Sequence, residues 1–354
     1  MLVWIGFGIL VVFILALDLG VLNRTSHIPT FKEALSWTAM YVTFALAFSG
    51  FVYFGYENAW LGLGDTIGRP ADGKTAFLEY LTGYVVEQSL SIDNIFVIAV
   101  IFSYFKIPTE YQHRVLFWGI LGAVVFRALM IFVGVVLIER FSWMSYVFGA
   151  ILIYSAYKMY TSTDEEVDPD KNPVVNFFKK FMPVTSRFDG EKFFIKRLGV
   201  TAATPLFIAL LVVETTDVMF AFDSIPAIFA ITTDPFLVFT SNIFAILGLR
   251  SLYFVLASVL DKFRFLQLGL TLILAFVGVK MILIAQDIHI PEVISLGVII
   301  LTLAGSILAS MYLPAPETEP EVMHDLPNPT DIENPSRVSP PLRDEKSPEE
   351  IGRG

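Results

Sequence analysis

The sequence predicts an all-α polytopic membrane protein. Its 354 residues are 55% hydrophobic and 16% charged, with a mean hydropathy of +0.67, whereas soluble domains have about 25% charged residues. Apolar runs recur along the chain, and each is long enough to cross the roughly 30 Å of hydrocarbon in a bilayer. Two of these runs carry a similarly spaced pair of acidic residues. These three observations predict a helical bundle in the lipid bilayer that contains two related units.

Nine apolar runs mark the expected transmembrane helices. They cover residues 2–22, 36–55, 77–105, 115–138, 141–160, 201–231, 237–260, 265–285 and 292–313. The first run has no basic segment before it and no small-residue cleavage site after it, so it is predicted to be an anchor rather than a cleaved signal. The third and sixth runs exceed the ~20 residues that a span needs, which predicts tilt or a break in each.

Lys and Arg divide unequally between alternate loops. The loops after the odd-numbered runs hold 14 of these residues and the loops after the even-numbered runs hold three. By the positive-inside rule, this difference places the N-terminus outside and the C-terminus in the cytoplasm. Segment 161–200 is then the one sizeable cytoplasmic loop. A bacterial inner membrane is the expected location.

The end of the chain differs in composition from the rest. Residues 314–354 contain ten acids, four bases and 9 of the 19 Pro residues. Such a segment cannot bury an apolar core and is predicted to be disordered. The chain therefore divides into a transmembrane domain, residues 1–313, and an acidic, Pro-rich cytoplasmic tail.

Several function classes are disfavoured by composition. The chain has no Cys and four His, so thiolate metal sites, disulfides and cysteine nucleophiles are excluded. It has no basic stripe for nucleic acid and no Gly-rich strand-to-helix motif for a nucleotide. We expect a protein that is not an enzyme and has no resident cofactor, whose partners are the lipid bilayer and a small ion. The oligomeric state is not indicated.

The third and sixth runs share an acidic motif. Glu87 and Asp93 lie six residues apart in EQSLSIDN, and Asp217 and Asp223 have the same spacing in DVMFAFDS. The second acid of each pair is followed by a small polar residue and Ile, and the two pairs are 130 residues apart.

Two bases extend this similarity into the following runs. Arg127 aligns with Arg250 at an offset of 123, and Lys158 with Lys280 at an offset of 122. Runs three to five (77–160) and six to eight (201–285) are therefore predicted to be two copies of one unit. Three spans per copy is an odd number, so the copies are inverted, as in many transporters. The alternative is chance similarity between apolar sequences.

Charged residues inside the runs indicate a function, because each costs about 2.5–3.5 kcal/mol at a helix centre. They are Asp18, Glu87, Asp93, Arg127, Glu214, Asp217, Asp223, Arg250 and Lys280. Two acids six residues apart point about 120° apart on a regular helix, so one shared site requires a helix break or the opposing repeat. Ser224 and Pro226 predict such a break in the sixth run. Four or five carboxylates would then surround one point.

Carboxylate and amide oxygens without Cys suit Mn²⁺, Mg²⁺ or Ca²⁺. The expected ligands are Glu87, Asp93, Asn94, Glu214, Asp217, Asp223 and Asn242. Arg127, Arg250 and Lys280 are expected to compensate charge, and Asp18 lies either at the site or at the membrane interface. Two alternatives are a proton relay without a metal and a structural network of buried ion pairs.

Two segments carry a family resemblance. YVVEQSLSIDNIFV and VVETTDVMFAFDSIPAIFAITTDPFLVFTSNIFAILGLRSLYF resemble the TerC family of integral membrane proteins, including its Alx branch, within the LysE-like transporter group. The resemblance covers roughly residues 1–313. It implies an exporter of Mn²⁺ that uses the acids of both repeats as ligands. Because a nucleotide motif is missing, proton exchange is the expected energy source.

Two other functions fit the same sequence. One is a Ca²⁺ exporter on the same scaffold. The other is a non-transporting membrane scaffold in a metal or tellurite stress-response complex, whose partners bind the tail. The tail, residues 314–354, is not part of the family pattern.

Overall fold

The computed structural model describes residues 2–20, 29–64, 72–141, 143–161, 172–185, 187–197, 200–257 and 265–312. The predicted tail, residues 314–354, lies outside these residues, and so does the side chain of Asp18. The described residues form eleven α-helices, one short 3₁₀ helix and one β-hairpin. The prediction of an all-α polytopic membrane protein is confirmed at the level of fold class.

The helices follow the apolar runs closely. They are α1 Leu2–Gly20, α2 Phe31–Glu57, α3 Gly73–Tyr104, α4 Thr109–Arg140, α5 Met144–Thr161, α6 Pro173–Phe181, α7 Pro205–Phe229, α8 Pro235–Leu247, α9 Leu249–Leu256, α10 Leu266–Ile284 and α11 Glu292–Tyr312. Within the described residues, six of them are long and apolar enough to span a membrane, and the bent pair α8–α9 makes a seventh. The count of nine spans stays a prediction, because α1 and α5 are not among these seven.

Side-chain caps fix where α2 and α3 begin. Thr30 and Glu33 form a capping box at the start of α2, which satisfies backbone N–H groups that lack helical partners. Asp72 caps α3 by accepting a hydrogen bond from the Lys74 N–H at 3.0 Å. The hydrogen bond from the Thr75 hydroxyl holds the pKa of Asp72 below its ordinary value. Because these caps precede the apolar residues, the helices extend beyond the runs seen in the sequence.

The predicted break in the sixth run is wrong. Helix α7 continues through Ser224 and Pro226 to Phe229. Pro226 stands three residues before the end of the helix, and its missing N–H and its ring affect the turn from Phe222 to Pro226 without ending the helix there. The break occurs instead in the seventh run, where α8 and α9 meet at Gly248 with a bend of 44°.

The predicted cytoplasmic loop contains secondary structure that the sequence analysis missed. Besides α6, it holds strands β1 Phe194–Arg197 and β2 Val200–Ala203, which pair antiparallel. The Thr204 hydroxyl donates to the Lys192 carbonyl oxygen at 2.8 Å, which anchors the hairpin beside the start of α7. This small sheet does not change the fold class.

The helices of the two predicted repeats pack in a cross-wise pattern. Helix α3 packs on α8, α4 packs on α7, and α5 packs on α10. The first helix of each unit therefore meets the second helix of the other, and the third helices meet each other. A two-fold relation between the units would produce this pattern, and the two first helices, α3 and α7, also pack on each other.

The contact between α5 and α10 is reciprocal. A Cβ atom added to Gly149 would lie 3.0 Å from the Gly278 carbonyl oxygen, and one added to Gly278 would lie 3.1 Å from the Gly149 carbonyl oxygen. Ile153 and Ile282, each four residues further on, cover the opposite glycine. Small residues allow this close approach of two helices. The two glycines are 129 residues apart, which is close to the offset of 130 between the acid pairs but differs from the offset of 122 between Lys158 and Lys280. The glycine contact therefore supports the pairing of α5 with α10 but not the alignment of Lys158 with Lys280.

Candidate functional site

Arg127 lies at the centre of the bundle and is only 1% exposed. From α4, its guanidinium forms ion pairs with Glu87 on α3 and with Asp217 on α7. The distance from Nη2 to Asp217 Oδ1 is 3.1 Å. Nη1 also donates to Ser224 Oγ at 3.4 Å and to Asn242 Oδ1 at 3.3 Å. We call these five residues, which come from four helices, the central cluster.

Helix geometry explains how these side chains meet. Asp217 and Ser224 are seven residues apart on α7, which is about two turns, so they share one face. Asn242 on α8 donates from Nδ2 to Glu87 Oε2 at 3.0 Å and accepts from Arg127 through its oxygen. Both oxygens of Glu87 are therefore hydrogen-bonded, one by the arginine and the other by the amide.

The central cluster joins the two predicted repeats. Glu87 and Asp217 are the first acids of the two motifs, 130 residues apart, and one guanidinium binds both. Arg stays protonated under ordinary conditions, so two carboxylates and one guanidinium have a formal net charge of −1. A buried charge is costly unless it is paired, which accounts for the contact between these groups.

A small cavity of about 20 Å³, roughly the space of one water molecule, adjoins the central cluster. It is lined by one face of α4 and by residues of α3 and α7, among them Asn94 and Asp217. Asn94 Oδ1 and Asp217 Oδ2 are buried and have no hydrogen-bond partner within the described part of the chain. Leaving such an atom unpaired costs about 1–3 kcal/mol. Unpaired oxygens beside a cavity are typical of a site that receives a ligand.

Glu214 lies next to the central cluster. It stands one turn before Asp217 on α7, and its carboxylate is placed against Gly122 of α4, where any side chain would overlap it. Glu214 Oε2 is also buried without a hydrogen-bond partner in the described residues. Five predicted ligands therefore lie in or beside the cluster: Glu87, Asn94, Glu214, Asp217 and Asn242.

The two second acids of the motifs lie apart from the cluster contacts. Asp223 accepts a hydrogen bond from the Ser155 hydroxyl of α5 at 2.5 Å, and Lys158 of α5 is close enough to interact with it electrostatically. Asp93 is half-buried on α3. On an unbroken helix each of these acids points about 120° away from the first acid of its pair.

The expected ring of four or five carboxylates is wrong. Among the described residues, no group of three or more acidic or His side chains is arranged to hold a metal ion. Two features of the structure explain this result. Helix α7 is continuous, so Asp217 and Asp223 diverge, and Arg127 occupies the space between Glu87 and Asp217.

The other two expected bases lie on different helices. Lys280 is 1% exposed, and its Nζ atom lies 2.8 and 2.9 Å from the two carboxylate oxygens of Glu292. This ion pair joins α10 to α11, and Glu292 is not among the residues predicted from the sequence. Arg250 lies in α9, two residues after the bend at Gly248, and is partly buried.

A second polar network was missed by sequence analysis. The Tyr56 hydroxyl donates to Asp234 Oδ2 at 2.5 Å, and the Thr232 hydroxyl donates to Glu79 Oε2 at 2.6 Å. All four residues are buried. Burial raises the pKa of Asp234, while hydrogen bonds from Tyr56 and from the backbone oppose this shift. The only signal in the sequence was Asp before Pro, which is typical of a helix start.

Comparisons with known proteins agree with this architecture. A family model, described as integral membrane protein TerC family, matches residues 72–318. The chain is 48% identical to an uncharacterized membrane protein of Myxococcus xanthus over 308 residues, which cover 87% of this chain and 91% of the relative. It is 45% identical to a putative membrane-bound redox modulator, Alx, of Escherichia coli over 299 residues, covering 84% and 90%.

A protein of Rickettsia bellii, described as an uncharacterized membrane protein, is 42% identical over 308 residues, with 87% of this chain and 96% of the relative covered. No solved structure matches the chain. Family model and relatives cover the helices that carry the central cluster. The chain belongs to the TerC family of integral membrane proteins.

Proposed function

We propose that the protein exports a hard divalent cation, Mn²⁺ in particular, from the cytoplasm across a bacterial inner membrane in exchange for protons. The observation that carries this proposal is the central cluster. It brings the first acids of both predicted repeats to one buried point, beside a cavity with unpaired oxygens. Intramembrane acids of this kind are typical of ion pathways.

The donor atoms favour a hard cation. Glu87 and Asp217 supply carboxylate oxygens, Asn94 and Asn242 supply amide oxygens, and Ser224 supplies a hydroxyl. Mn²⁺, Mg²⁺ and Ca²⁺ bind such oxygens, whereas Cu⁺ prefers sulfur. The two carboxylates together carry the charge that one divalent cation neutralises. The choice of Mn²⁺ over Ca²⁺ rests on the resemblance to TerC proteins, so the experiment below measures both ions.

Export of a divalent cation needs an energy source. Moving two positive charges out of the cell against 100 mV costs about 4.6 kcal/mol. Protons move inward down the same potential, and a carboxylate that has released a cation can bind a proton. Inward movement of protons therefore supplies the energy for export.

The Alx relative of Escherichia coli is described as a putative membrane-bound redox modulator. This chain has no Cys, so thiol–disulfide exchange is not available to its 354 residues. Control of a redox-active metal such as Mn²⁺ is a route by which a membrane transporter affects cellular redox state. Under this proposal, any redox effect follows from metal export.

The test is metal efflux from cells and from proteoliposomes that contain the full chain. We expect Glu87→Gln and Asp217→Asn each to lower Mn²⁺ efflux by about tenfold or more, because each removes charge from the binding point. Glu139→Gln changes an exposed acid at the end of α4 and serves as the control. Ca²⁺ is tested as a competitor in the same vesicles.

Equal Mn²⁺ content in cells expressing the wild type, either cluster variant or an empty vector would reject the export function. Deletion of residues 314–354 separates the scaffold alternative from a transporter. We expect the truncated protein to keep its efflux, whereas a scaffold that recruits partners through the tail would lose its effect. Recovery of each variant as a monodisperse protein shows that the loss is not caused by misfolding.

A further inference from the structure

We propose that Arg127 is an internal substitute for the transported cation and that its guanidinium leaves the acids when a divalent cation binds. This inference rests on the proposed function and concerns the same site. In the structure, the guanidinium lies between Glu87 and Asp217, which is the place where two carboxylates would hold a metal ion. The structure accordingly represents the state in which the arginine fills the site.

The contacts of Arg127 are those of a competitor for the ligands. Each of its polar contacts goes to a side-chain oxygen of the central cluster: Glu87 Oε1, Asp217 Oδ1, Ser224 Oγ and Asn242 Oδ1. A divalent cation requires the same oxygens. The guanidinium and the cation therefore cannot occupy the central cluster together.

The arginine is incompletely satisfied in this position. Its Nε atom is buried and has no hydrogen-bond partner among the described residues. Its contacts to Ser224 and Asn242, at 3.4 and 3.3 Å, are longer than the usual 2.7–3.2 Å. A buried structural charge is stabilising only when its hydrogen bonds are complete and well formed. These contacts fit a side chain that exchanges with another ligand.

The adjoining cavity gives an incoming cation a place to bind first. Asp217 holds Arg127 through Oδ1, while its Oδ2 has no hydrogen-bond partner within the described chain. Asp217 and Asn94 both line the cavity, and Asn94 Oδ1 is also without a partner there. A cation in the cavity therefore contacts Asp217 before Arg127 has moved. Asp217 then exchanges its contact with the Arg127 guanidinium for a contact with the cation.

The same face of α4 provides room for the movement. Gly119 and Ala123 line the cavity about two turns and one turn before Arg127, respectively, and helical side chains lean toward the N-terminal end of their helix. These two small residues form part of the wall of the cavity. Residues with long side chains there would close the space.

Charge selects the ion that can displace the arginine. The two carboxylates of Glu87 and Asp217 and the guanidinium of Arg127 together have a formal charge of −1. When a divalent cation replaces the guanidinium, the formal charge of the site becomes zero. A monovalent cation gives the same sum as the arginine and therefore gains nothing by exchange. After the cation leaves, Arg127 returns, so the empty site does not hold two unpaired carboxylates in a low-dielectric environment. Arg127 is a specificity-determining residue that also permits the return step.

The experiment compares two fluxes in proteoliposomes containing the full chain. Exchange of labelled for unlabelled Mn²⁺ requires only the loaded protein, whereas net Mn²⁺ efflux also requires the empty protein to return. For Arg127→Gln we expect exchange within about threefold of the wild type and net efflux at least about tenfold lower. Arg140→Gln, at the exposed end of the same helix, should leave both fluxes unchanged.

Arg127→Lys is a second variant that keeps the charge and remains informative if the Gln variant does not fold. An ammonium makes fewer of the planar guanidinium contacts, so it competes less well and the KM for Mn²⁺ should fall about threefold or more. If Arg127 had only a structural role, the KM for Mn²⁺ would not decrease in Arg127→Lys.

Three results decide the inference. Equal loss of exchange and net efflux in a folded Arg127→Gln protein would overturn it, and so would unchanged net efflux. A higher KM in Arg127→Lys would also overturn it. If the wild type shows neither Mn²⁺ exchange nor net Mn²⁺ efflux, the proposed export function is rejected instead. The inference about Arg127 concerns only how the variants change these two fluxes relative to the wild type.

Discussion

Removal of the Lys280 ammonium tests whether this lysine has an architectural role. Lys280 and Glu292 form an ion pair between α10 and α11, and their side chains are 2% and 17% exposed. Lys280→Met leaves the carboxylate without this partner. Breaking a buried pair from one side costs about 3–5 kcal/mol. Glu292 is partly exposed and stands in the first turn of α11, where the helix dipole favours an acid, so we expect the lower value, about 3 kcal/mol.

The double variant Lys280→Met/Glu292→Met separates the ion pair from the loss of either side chain. Replacement of both charges by apolar groups of similar size is often neutral or stabilising. We therefore expect the double variant to be at least as stable as Lys280→Met, with a coupling energy of about 2–3 kcal/mol in the double-mutant cycle. Unfolding of the purified protein in lipid nanodiscs measures each stability.

Flux measurements then separate architecture from transport. Because the ion pair lies between α10 and α11, the double variant should keep Mn²⁺ efflux within about twofold of the wild type. A Lys280→Met protein as stable as the wild type would refute the energetic reasoning. A stable double variant without efflux would instead place Lys280 in the transport cycle, as the sequence analysis expected.

Two further predictions use the same unfolding assay. Gly149→Ala and Gly278→Ala should destabilise the protein by similar amounts, about 1–3 kcal/mol each, because each added Cβ would meet the opposite helix. Gly297→Ala on α11, where an added Cβ meets no atom within 4 Å, is the control. Clearly unequal losses of stability for the first two variants would count against the two-fold relation. Tyr56→Phe should lower the free energy of unfolding by about 1–3 kcal/mol, because it leaves Asp234 Oδ2 buried without its 2.5 Å hydrogen bond. An unchanged stability would contradict this interpretation of the network.

The helices were largely predictable because lipid imposes a strong requirement on the sequence. Spans must be apolar over about 20 residues, and the predicted run 36–55 lies within α2, Phe31–Glu57. The ends of the helices were less predictable, since they depend on caps such as Thr30 and Glu33, which lie outside the apolar run. Helix α6 and the β-hairpin lie in a polar loop, where hydrophobicity carries little information.

The position of the helix break was not predictable from local residue types. Pro226 is a stronger helix breaker than Gly248 in isolation. Its effect depends on where α7 ends, which is set by the following turn and by Asp234, the N-cap of α8. Gly248 lies within an otherwise apolar run, and the bend there is stabilised by packing of α8 and α9 against neighbouring helices.

The candidate site was predictable in its acids but not in its partners. Glu87 and Asp217 were identified because a charge within an apolar run is costly. Which base would reach them depends on helix rotation and on contacts between distant segments. Arg127 binds both acids, whereas Lys280 binds Glu292, an acid in the last predicted run. Only the tertiary structure therefore distinguishes the positions of these two buried bases.

The single arginine makes the site asymmetric although its acids are equivalent by sequence. Glu87 and Asp217 occupy matching positions in the two predicted repeats, but the guanidinium that binds both comes from the unbroken helix α4. Its sequence counterpart, Arg250, follows the 44° bend after α8, so its side chain projects from a helix with a different axis. Inverted repeats alone would present equivalent surfaces to both sides of the membrane. Under the proposal that Arg127 moves, a positive charge held by one predicted repeat removes that equivalence, and it gives a physical basis for different cation affinities in inward-facing and outward-facing states.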